Sequence, residues 1–248
     1  MGLAANPIPA VVILLSLLAL ATPVSAKLKT FNVQFKNFFN NSDTKKLHLA
    51  SALSSIGANG ALQLTLETPN VDFASLTNQS GRILYKIPFK LWEGRTDAYS
   101  NRVASFNTSF LVNMNRLKDF PTPGEGLAFV VAPDLSIPPN SSGEYLGLTN
   151  AATDGATSNQ LIAVELDTLK EDHDPDSNHV GLNINSVKSH KTTSLTSPEF
   201  ELVAPLGTGY YFNVWIDYDG IKKVLFDGTS VFFFLGTNRW NFIPVELP

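Results

Sequence analysis

The chain has 248 residues, with 18 basic and 22 acidic side chains and a net charge of −4. This balance excludes strong electrostatic attraction to nucleic acid, which requires a basic face. The chain has no cysteine, which excludes disulfides, zinc–thiolate sites and cysteine nucleophiles. With 44% hydrophobic and 16% charged residues, the composition is that of a folded domain and not of a disordered chain.

The first 26 residues predict a secretory signal peptide. No charged side chain precedes Lys27, and the stretch 10–21 is apolar except for Ser16. That stretch is shorter than the roughly 20 residues that a membrane-spanning helix needs. The small residues in 23–26 resemble a cleavage site, although an uncleaved membrane anchor is the alternative. We therefore expect cleavage after Ala26 and secretion of the mature chain to the extracellular space or cell wall, without a transmembrane segment.

Four N-glycosylation sequons agree with export. A secreted chain without disulfides must be stabilised by its hydrophobic core or by bound metal. The sequons begin at Asn40, Asn78, Asn107 and Asn140.

Alternating apolar and polar residues predict β-strands in most of the chain. The period of two occurs at 62–67, 104–114 and 212–218, and it is typical of half-buried strands. Asn107 falls on the polar face of its strand. The stretch 127–132 is apolar throughout, as expected for a strand that is covered on both faces. Strands without intervening helices predict a single all-β domain of antiparallel sheets, packed as a sandwich or jelly roll.

An acidic group of residues lies at 165–179. On a strand, Glu165 and Asp167 would point to the same face, about 6.6 Å apart along the chain. Neighbouring carboxylates repel each other unless a cation lies between them. The loop that follows adds further acidic side chains before His179. Oxygen ligands suit calcium and an added imidazole suits a transition metal such as manganese, so this segment predicts a metal site.

Three other interpretations of this segment are weaker. A solvated acidic loop leaves unexplained why charges lie within an apolar strand, where unpaired charge is unfavourable. The stretch 172–176 has aspartate at alternate positions, as in an EF-hand loop, but Pro175 and the absence of flanking helical patterns disfavour that motif. A retaining glycoside hydrolase needs two carboxyls roughly 5 Å apart, whereas a regular strand would separate Glu165 from Glu171 by about 20 Å.

Several blocks in one order resemble the legume-type (L-type) plant lectins. The segment WIDYDG at 215–220 is similar to a later strand and hairpin, especially in the lectin ectodomains of plant receptor kinases. The resemblance covers 27–226, for which it implies a legume lectin-like jelly-roll sandwich, and it leaves 227–248 as a divergent C-terminal tail. The other blocks are GLAFVVAP at 126–133, YLGL at 145–148, VELDT at 164–168, Asp174-Pro175 and HVGLNINS at 179–186.

The resemblance implies neighbouring calcium and manganese ions that stabilise a shallow sugar pocket without taking part in catalysis. Glu165 and His179 would bind manganese. Asp167 and Asp174 would bridge both ions, and the backbone carbonyl of Leu169 would reach calcium.

The resemblance also implies sugar contacts and shows departures from the family pattern. Glu125, where the family usually has aspartate, would accept hydrogen bonds from sugar hydroxyls, and the backbone N–H of Gly143 would donate one. Glu171 or Asp172 stands where the family has an asparagine that binds both calcium and sugar, and a carboxylate cannot donate the hydrogen bond that the amide donates. Leu169 stands where an aromatic residue usually stacks on the sugar.

The C-terminal region departs most from the family. Beyond Leu225 the family has further strands, including a central one, for which the sequence has no recognisable match. A missing central strand would leave backbone groups and apolar surface unpaired, so we expect a divergent or misread terminus.

The resulting prediction is a secreted, carbohydrate-binding lectin that is not an enzyme. A lectin-like remnant that has lost sugar binding, or that binds a different partner, is the main alternative, and a β-glucan hydrolase on a similar sandwich is a weaker one. The resemblance also allows a homodimer, although the sequence does not indicate which surface would pair.

Overall fold

The computed structural model describes residues 30–39, 41–66, 76–93, 102–116, 122–196, 200–203, 211–220, 231–236 and 243–247. The predicted signal peptide and the sequon asparagine Asn40 lie outside these described residues. The chain divides into two compact units, Met1–Gln34 and Phe35–Pro248, and every element given below belongs to the second. Among the described residues, no helix is both long enough and apolar enough to cross a membrane.

Strands dominate the regular structure of the described residues, as the alternating sequence pattern predicted. The helical elements there are a four-residue helix, Asn41–Thr44, and two single 3-10 turns, Gly143–Tyr145 and Thr157–Asn159. The strands are β1 Leu47–Leu49, β2 Ser55–Ile56, β3 Leu62–Gln63, β4 Ile83–Tyr85, β5 Trp92–Glu93, β6 Arg102–Val103, β7 Phe106–Val112, β8 Gly126–Val131, β9 Ile162–Asp167, β10 His179–Ile184, β11 Lys191–Ser194, β12 Phe212–Tyr218, β13 Val231–Gly236 and β14 Ile243–Leu247.

Two four-stranded antiparallel sheets form the main body. Sheet I has the order β11-β10-β9-β8, and sheet II has the order β14-β13-β12-β7. Three two-stranded antiparallel pairs, β1-β4, β2-β3 and β5-β6, complete the described strands.

The main hydrophobic core lies between the two sheets. Val164 and Leu166 of β9 belong to the same buried cluster as Val214 and Ile216 of β12. These residues alternate with more polar ones along β12, so the predicted half-buried strand is confirmed there. Phe129 of β8 adds aromatic contacts to this core, because its ring lies 6.2 Å from Phe106 and 6.1 Å from Phe110 of β7, centroid to centroid.

Sheet I is covered on both faces. Its second face carries a smaller cluster that contains Leu148, Leu161, Ala163 and Val187. Along β8, Leu127 and Phe129 pack on the main core while Ala128 and Val130 pack on the smaller one. The prediction of a doubly covered strand at 127–132 is therefore confirmed. Because β9 is the neighbour of β8, its polar side chains also lie in a buried environment.

The residues beyond 226 contribute two strands, β13 and β14, to sheet II. In β13, Leu235 pairs with Val214, and β14 pairs in turn with β13, with Val245 opposite Phe233. The apolar segment 232–235 forms most of β13. The sequence analysis did not predict this strand, because an apolar run of this length has no distinctive motif. The edge of β12 that faces β13 is therefore hydrogen-bonded.

The core assignment predicts unequal effects for one substitution at two sites. Leu195 is fully buried in the main core, and Leu111 on β7 is 62% exposed. We expect Leu195→Ala to lower the free energy of unfolding by about 2–5 kcal/mol because it leaves a cavity. Leu111→Ala should change it by no more than about 0.5 kcal/mol. Urea unfolding followed by tryptophan fluorescence measures both, and equal losses would contradict the assignment.

Candidate functional site

Pairing between β8, β9 and β10 brings polar residues together at one end of sheet I. Asp167 lies between Gly126 and His179, and Glu165 lies opposite Gly181. Side chains alternate between the two faces of a sheet, so Glu165, Asp167 and His179 share the face opposite the main core. The prediction that Glu165 and Asp167 point to the same face is confirmed.

Glu165, Asp167 and His179 form a buried cluster that could hold a metal ion. Each offers one ligand atom, and these atoms lie within 4.8 Å of one another. The Nε2 atom of His179 lies 3.6 Å from Glu165 Oε1 and 3.8 Å from Asp174 Oδ1. These distances are long for hydrogen bonds, but they suit ligands of one ion, because atoms held about 2.1 Å from a metal are roughly 3–4 Å from each other.

The ring of His179 is oriented by the backbone. Its Nδ1 atom lies 2.9 Å from the carbonyl oxygen of Asp176. A carbonyl can only accept, so in the neutral ring Nδ1 carries the hydrogen and Nε2 presents its lone pair. Nε2 is buried and has no hydrogen-bond partner in the described part of the chain. Coordination of a cation would satisfy this atom.

Two residues donate hydrogen bonds to the carboxylate of Glu165, and a glycine leaves space for it. The sequence analysis did not single out any of these three residues. Asn183 Nδ2 donates to Oε2 at 2.8 Å, and the Ser189 hydroxyl donates to Oε1. A Cβ atom at Gly181 would lie 2.2 Å from Oε1, so glycine leaves the space that the carboxylate occupies. The signal for Asn183 was present, because it has the same strand parity as His179 and Gly181.

The loop after β9 folds back onto the strand. The Leu169 N–H donates to Asp167 Oδ1 at 3.0 Å. The Glu171 N–H donates to Asp174 Oδ2 at 2.9 Å, and the Asp174 N–H donates to the Glu171 carbonyl at 3.1 Å. These bonds place the buried Asp174 against the cluster, with its other oxygen toward His179.

The cluster is strongly acidic. The pKa of Asp167 is raised to about 7, because burial and the charges of Asp174 and Glu165 raise it more than His179 lowers it. Burial lowers the pKa of His179, but the neighbouring carboxylates of Glu165 and Asp167 favour the protonated ring, outweigh burial and raise the pKa overall. In the described residues, no lysine or arginine forms an ion pair with Glu165, Asp167 or Asp174.

The predicted sugar contacts Glu125 and Gly143 lie together beside this cluster. Glu125 precedes Gly126, the partner of Asp167 in the sheet. The Thr168 N–H donates to the Glu125 carbonyl at 3.1 Å, and the Thr168 hydroxyl donates to the Gly124 carbonyl at 2.6 Å. A Cβ atom at Gly143 would lie 3.9 Å from Glu125 Oε1. The end of β9 therefore anchors the segment that presents Glu125 to Gly143.

Negative charge surrounds the Glu125 side chain. Burial raises its pKa, and the charges of Glu171, Glu144 and Asp174 raise it further. Glu171 belongs to the loop in which the family resemblance predicts a residue that contacts both calcium and sugar.

Three of the four predicted glycosylation sites belong to the described residues, and all three are exposed. Asn107 lies on β7 of sheet II, whereas Asn78 and Asn140 lie in loops with positive φ angles of 51° and 56°. Their exposure is compatible with glycosylation, which remains a prediction at each site.

Comparison with known proteins identifies the family. The model of the legume lectin domain matches residues 30–233. The chain belongs to the legume lectin family. The all-β sandwich prediction is thereby confirmed, since the similar solved structures are also legume lectins.

The relatives include free lectins and receptor kinases. The basic agglutinin of Psophocarpus tetragonolobus is 33% identical over 198 residues, which cover 80% of this chain and 72% of the agglutinin. The probable L-type lectin-domain containing receptor kinase S.5 of Arabidopsis thaliana is 36% identical over 162 residues, which cover 65% of this chain and 23% of the kinase. The chain spans about a quarter of the length of the receptor kinases that it matches.

Several of the similar solved structures contain sugars. The winged bean acidic lectin complexed with methyl-α-D-galactose has a TM-score of 0.63 and 30% identity, over 85% of this chain and 77% of that lectin. Lectin I from Ulex europaeus, in complex with the methyl glycoside of α-L-fucose, has a TM-score of 0.65 and 27% identity, over 86% of this chain and 79% of that lectin. As a member of this family, the chain has the fold of carbohydrate-binding proteins.

The close approach of β8 to β9 predicts that alanine substitution has different effects at Gly126 and at Gly124. Gly126 has a φ of +137°, and a Cβ atom there would lie 2.2 Å from the Leu166 carbonyl oxygen, whereas Gly124 has nothing within 4 Å. We expect Gly126→Ala to destabilise the domain by about 1–3 kcal/mol or more through backbone strain. Gly124→Ala should have little effect. Thermal unfolding compares them, and similar melting temperatures would contradict the close approach.

The raised pKa values predict how the metal-free domain responds to pH. Asp167 has a folded pKa of about 7, above the roughly 3.9 of an unfolded aspartate, and that of His179 is also raised. The folded state therefore binds protons more tightly, and this contribution to stability is lost as pH rises through the folded pKa values. With chelator present, we expect the free energy of unfolding to fall between pH 5 and pH 8.

Urea unfolding in EDTA at four pH values in that range tests this expectation. Asp167→Asn removes one of the two titrating groups and should reduce the slope. A metal-free domain that becomes more stable up to pH 8 would show that the cluster does not hold its protons as described.

Proposed function

We propose that this protein is a secreted, non-catalytic lectin that binds a glycan beside a site for calcium and manganese. The observation that carries the proposal is the position of Glu125 and Gly143, which approach each other directly beside the buried acidic cluster. Carboxylate and backbone N–H groups together can accept from and donate to sugar hydroxyls. Membership in the legume lectin family supports carbohydrate binding as the coarse function.

The donor groups of the cluster support metal binding. Buried carboxylates without a lysine or arginine partner are unfavourable unless a cation compensates them, and the lone pair of His179 Nε2 suits a transition metal. When bound, the ions would neutralise the carboxylates and hold the loop after β9 in place. We propose Glu165 and His179 as manganese ligands, Asp167 and Asp174 as ligands of both ions, and the Leu169 carbonyl and Glu171 as calcium ligands.

The burial of Glu165 argues against the hydrolase alternative. Its side chain is 1% exposed, and both oxygens accept hydrogen bonds, from Asn183 and Ser189. A catalytic carboxyl of a glycoside hydrolase must contact the glycosidic bond. A carboxylate fixed in this way is suited to holding an ion and not to attacking a polysaccharide.

The identity of the sugar does not follow from the relatives. One relative is called a mannose/glucose-specific lectin, and solved structures of others contain galactose or fucose derivatives. In this chain Leu169 replaces the expected aromatic residue, and Glu171 or Asp172 replaces the expected asparagine. We therefore propose a binding site in which Glu125 and Gly143 supply the principal contacts and ring stacking at position 169 is lost.

A sugar array tests the proposal. The full chain, produced in a glycosylating eukaryotic host, is applied with calcium and manganese to immobilised mannose, glucose, galactose and fucose conjugates, and again with EDTA. We expect binding to at least one sugar that EDTA abolishes and that added metals restore. A metal in hundredfold excess over its Kd should also stabilise the fold by about 2.7 kcal/mol.

A matched pair of variants distinguishes the loss of a metal ligand from the loss of a negative charge elsewhere on the protein. Asp167→Asn should abolish stabilisation by metal, whereas the same change at the exposed Asp217 of sheet II should leave it intact. Stabilisation by metal without binding to any sugar would support the lectin-like remnant. Sugar binding that EDTA does not affect would contradict the role of the ions.

A further inference from the structure

Asn78 lies at the edge of the candidate sugar site. A Cβ atom built on Gly143 would lie 3.9 Å from Asn78 Oδ1 and 3.9 Å from Glu125 Oε1. The two oxygens are therefore separated by no more than twice that distance. Asn78 is exposed, so its amide stands at the opening of the space that Glu125 and Gly143 face.

Packing fixes this position. Gln79 Oε1 accepts a hydrogen bond from the Leu66 N–H at 2.6 Å. The Cβ atom of Ser80 lies 3.7 Å from the position that a Cβ atom of Gly147 would occupy. The segment that carries Asn78 is thus held against the turn that follows Gly143.

A buried arginine ties the same two segments together. The guanidinium of Arg82 donates to the carbonyl of Ser136 at 2.6 Å and to the carbonyl of Gly147. Arg82 lies shortly after Asn78 in the sequence, and residues 136 and 147 flank the loop that contains Gly143. A buried guanidinium that bridges two carbonyls resists separation of these segments.

Asn78 is also the first residue of the sequon Asn78-Gln79-Ser80. A glycan would be attached to Nδ2, which belongs to the same amide group as the Oδ1 atom that approaches Gly143. An N-glycan is bulky, and its first sugar ring would lie at the opening beside Glu125. Because it is tethered there, its local concentration would be in the millimolar range.

We propose that an N-glycan on Asn78 covers the sugar site for most of the time, so that glycosylation of this sequon weakens the binding of external sugar. The inference rests on the proposed function of this site. The sequon at Asn107 does not share the effect, because Asn107 points outward from β7 of sheet II and the main core lies between that sheet and sheet I.

The test compares four forms of the full chain made in the same eukaryotic host. Glycopeptide mass spectrometry first measures the occupancy of Asn78. Wild type, Ser80→Ala, Asn78→Gln and the control Asn107→Gln are then titrated on the mannose, glucose, galactose and fucose conjugates with calcium and manganese. An apparent Kd increases as the open fraction decreases, so a glycan that leaves about one site in ten open weakens binding about tenfold.

We expect Ser80→Ala and Asn78→Gln to bind about tenfold more tightly than wild type, and Asn107→Gln to bind like wild type. Ser80→Ala carries the test if Asn78→Gln does not fold, because it removes the sequon and keeps Asn78. An unoccupied Asn78, or equal binding by wild type and Ser80→Ala, would overturn the inference while leaving the proposed function intact. Absence of sugar binding in all four forms would instead overturn the proposed function, and the inference with it.

Discussion

The burial of like charges in sheet I is the constraint on which the rest of the site depends. Glu165, Asp167 and Asp174 lie within a few ångströms of His179, and no lysine or arginine among the described residues pairs with them. Hydrogen bonds from neighbouring residues relieve part of this cost, but they leave the net negative charge in place. The arrangement is therefore stable at neutral pH only if protons or cations compensate it.

The same strand that holds the buried charge also positions the surface above it. Asp167 ends β9, and Thr168, the next residue, hydrogen-bonds to the backbone of Gly124 and Glu125. Gly126 allows β8 to approach β9 closely at this point. A displacement of Asp167 would therefore be transmitted to Glu125 through the backbone of Thr168. In this way an ion bound in the proposed metal site would affect sugar binding without contacting the sugar.

The sequence predicted the parts of this arrangement that depend on local periodicity. Alternation along β9 was sufficient to place Glu165 and Asp167 on one face, and the family resemblance supplied the order of the blocks. The sequence could not predict contacts between distant segments, such as Gly181 beside the Glu165 carboxylate or Asn78 beside Gly143. The strand at 231–236 was also missed, because its place in sheet II depends on pairing with β12.

The unusual charge of this surface limits what can bind there. By the family resemblance, Glu171 or Asp172 stands where other members have an uncharged amide, and the charges of Glu171 and Glu144 both raise the pKa of Glu125. Carboxylates accept hydrogen bonds and cannot donate them, so a sugar at this surface would act mainly as a donor through its hydroxyls. The Gly143 N–H and the nearby amide of Asn78 are donors beside these carboxylates, and a glycan on the Asn78 nitrogen would replace one of its two N–H bonds and cover the carboxylates.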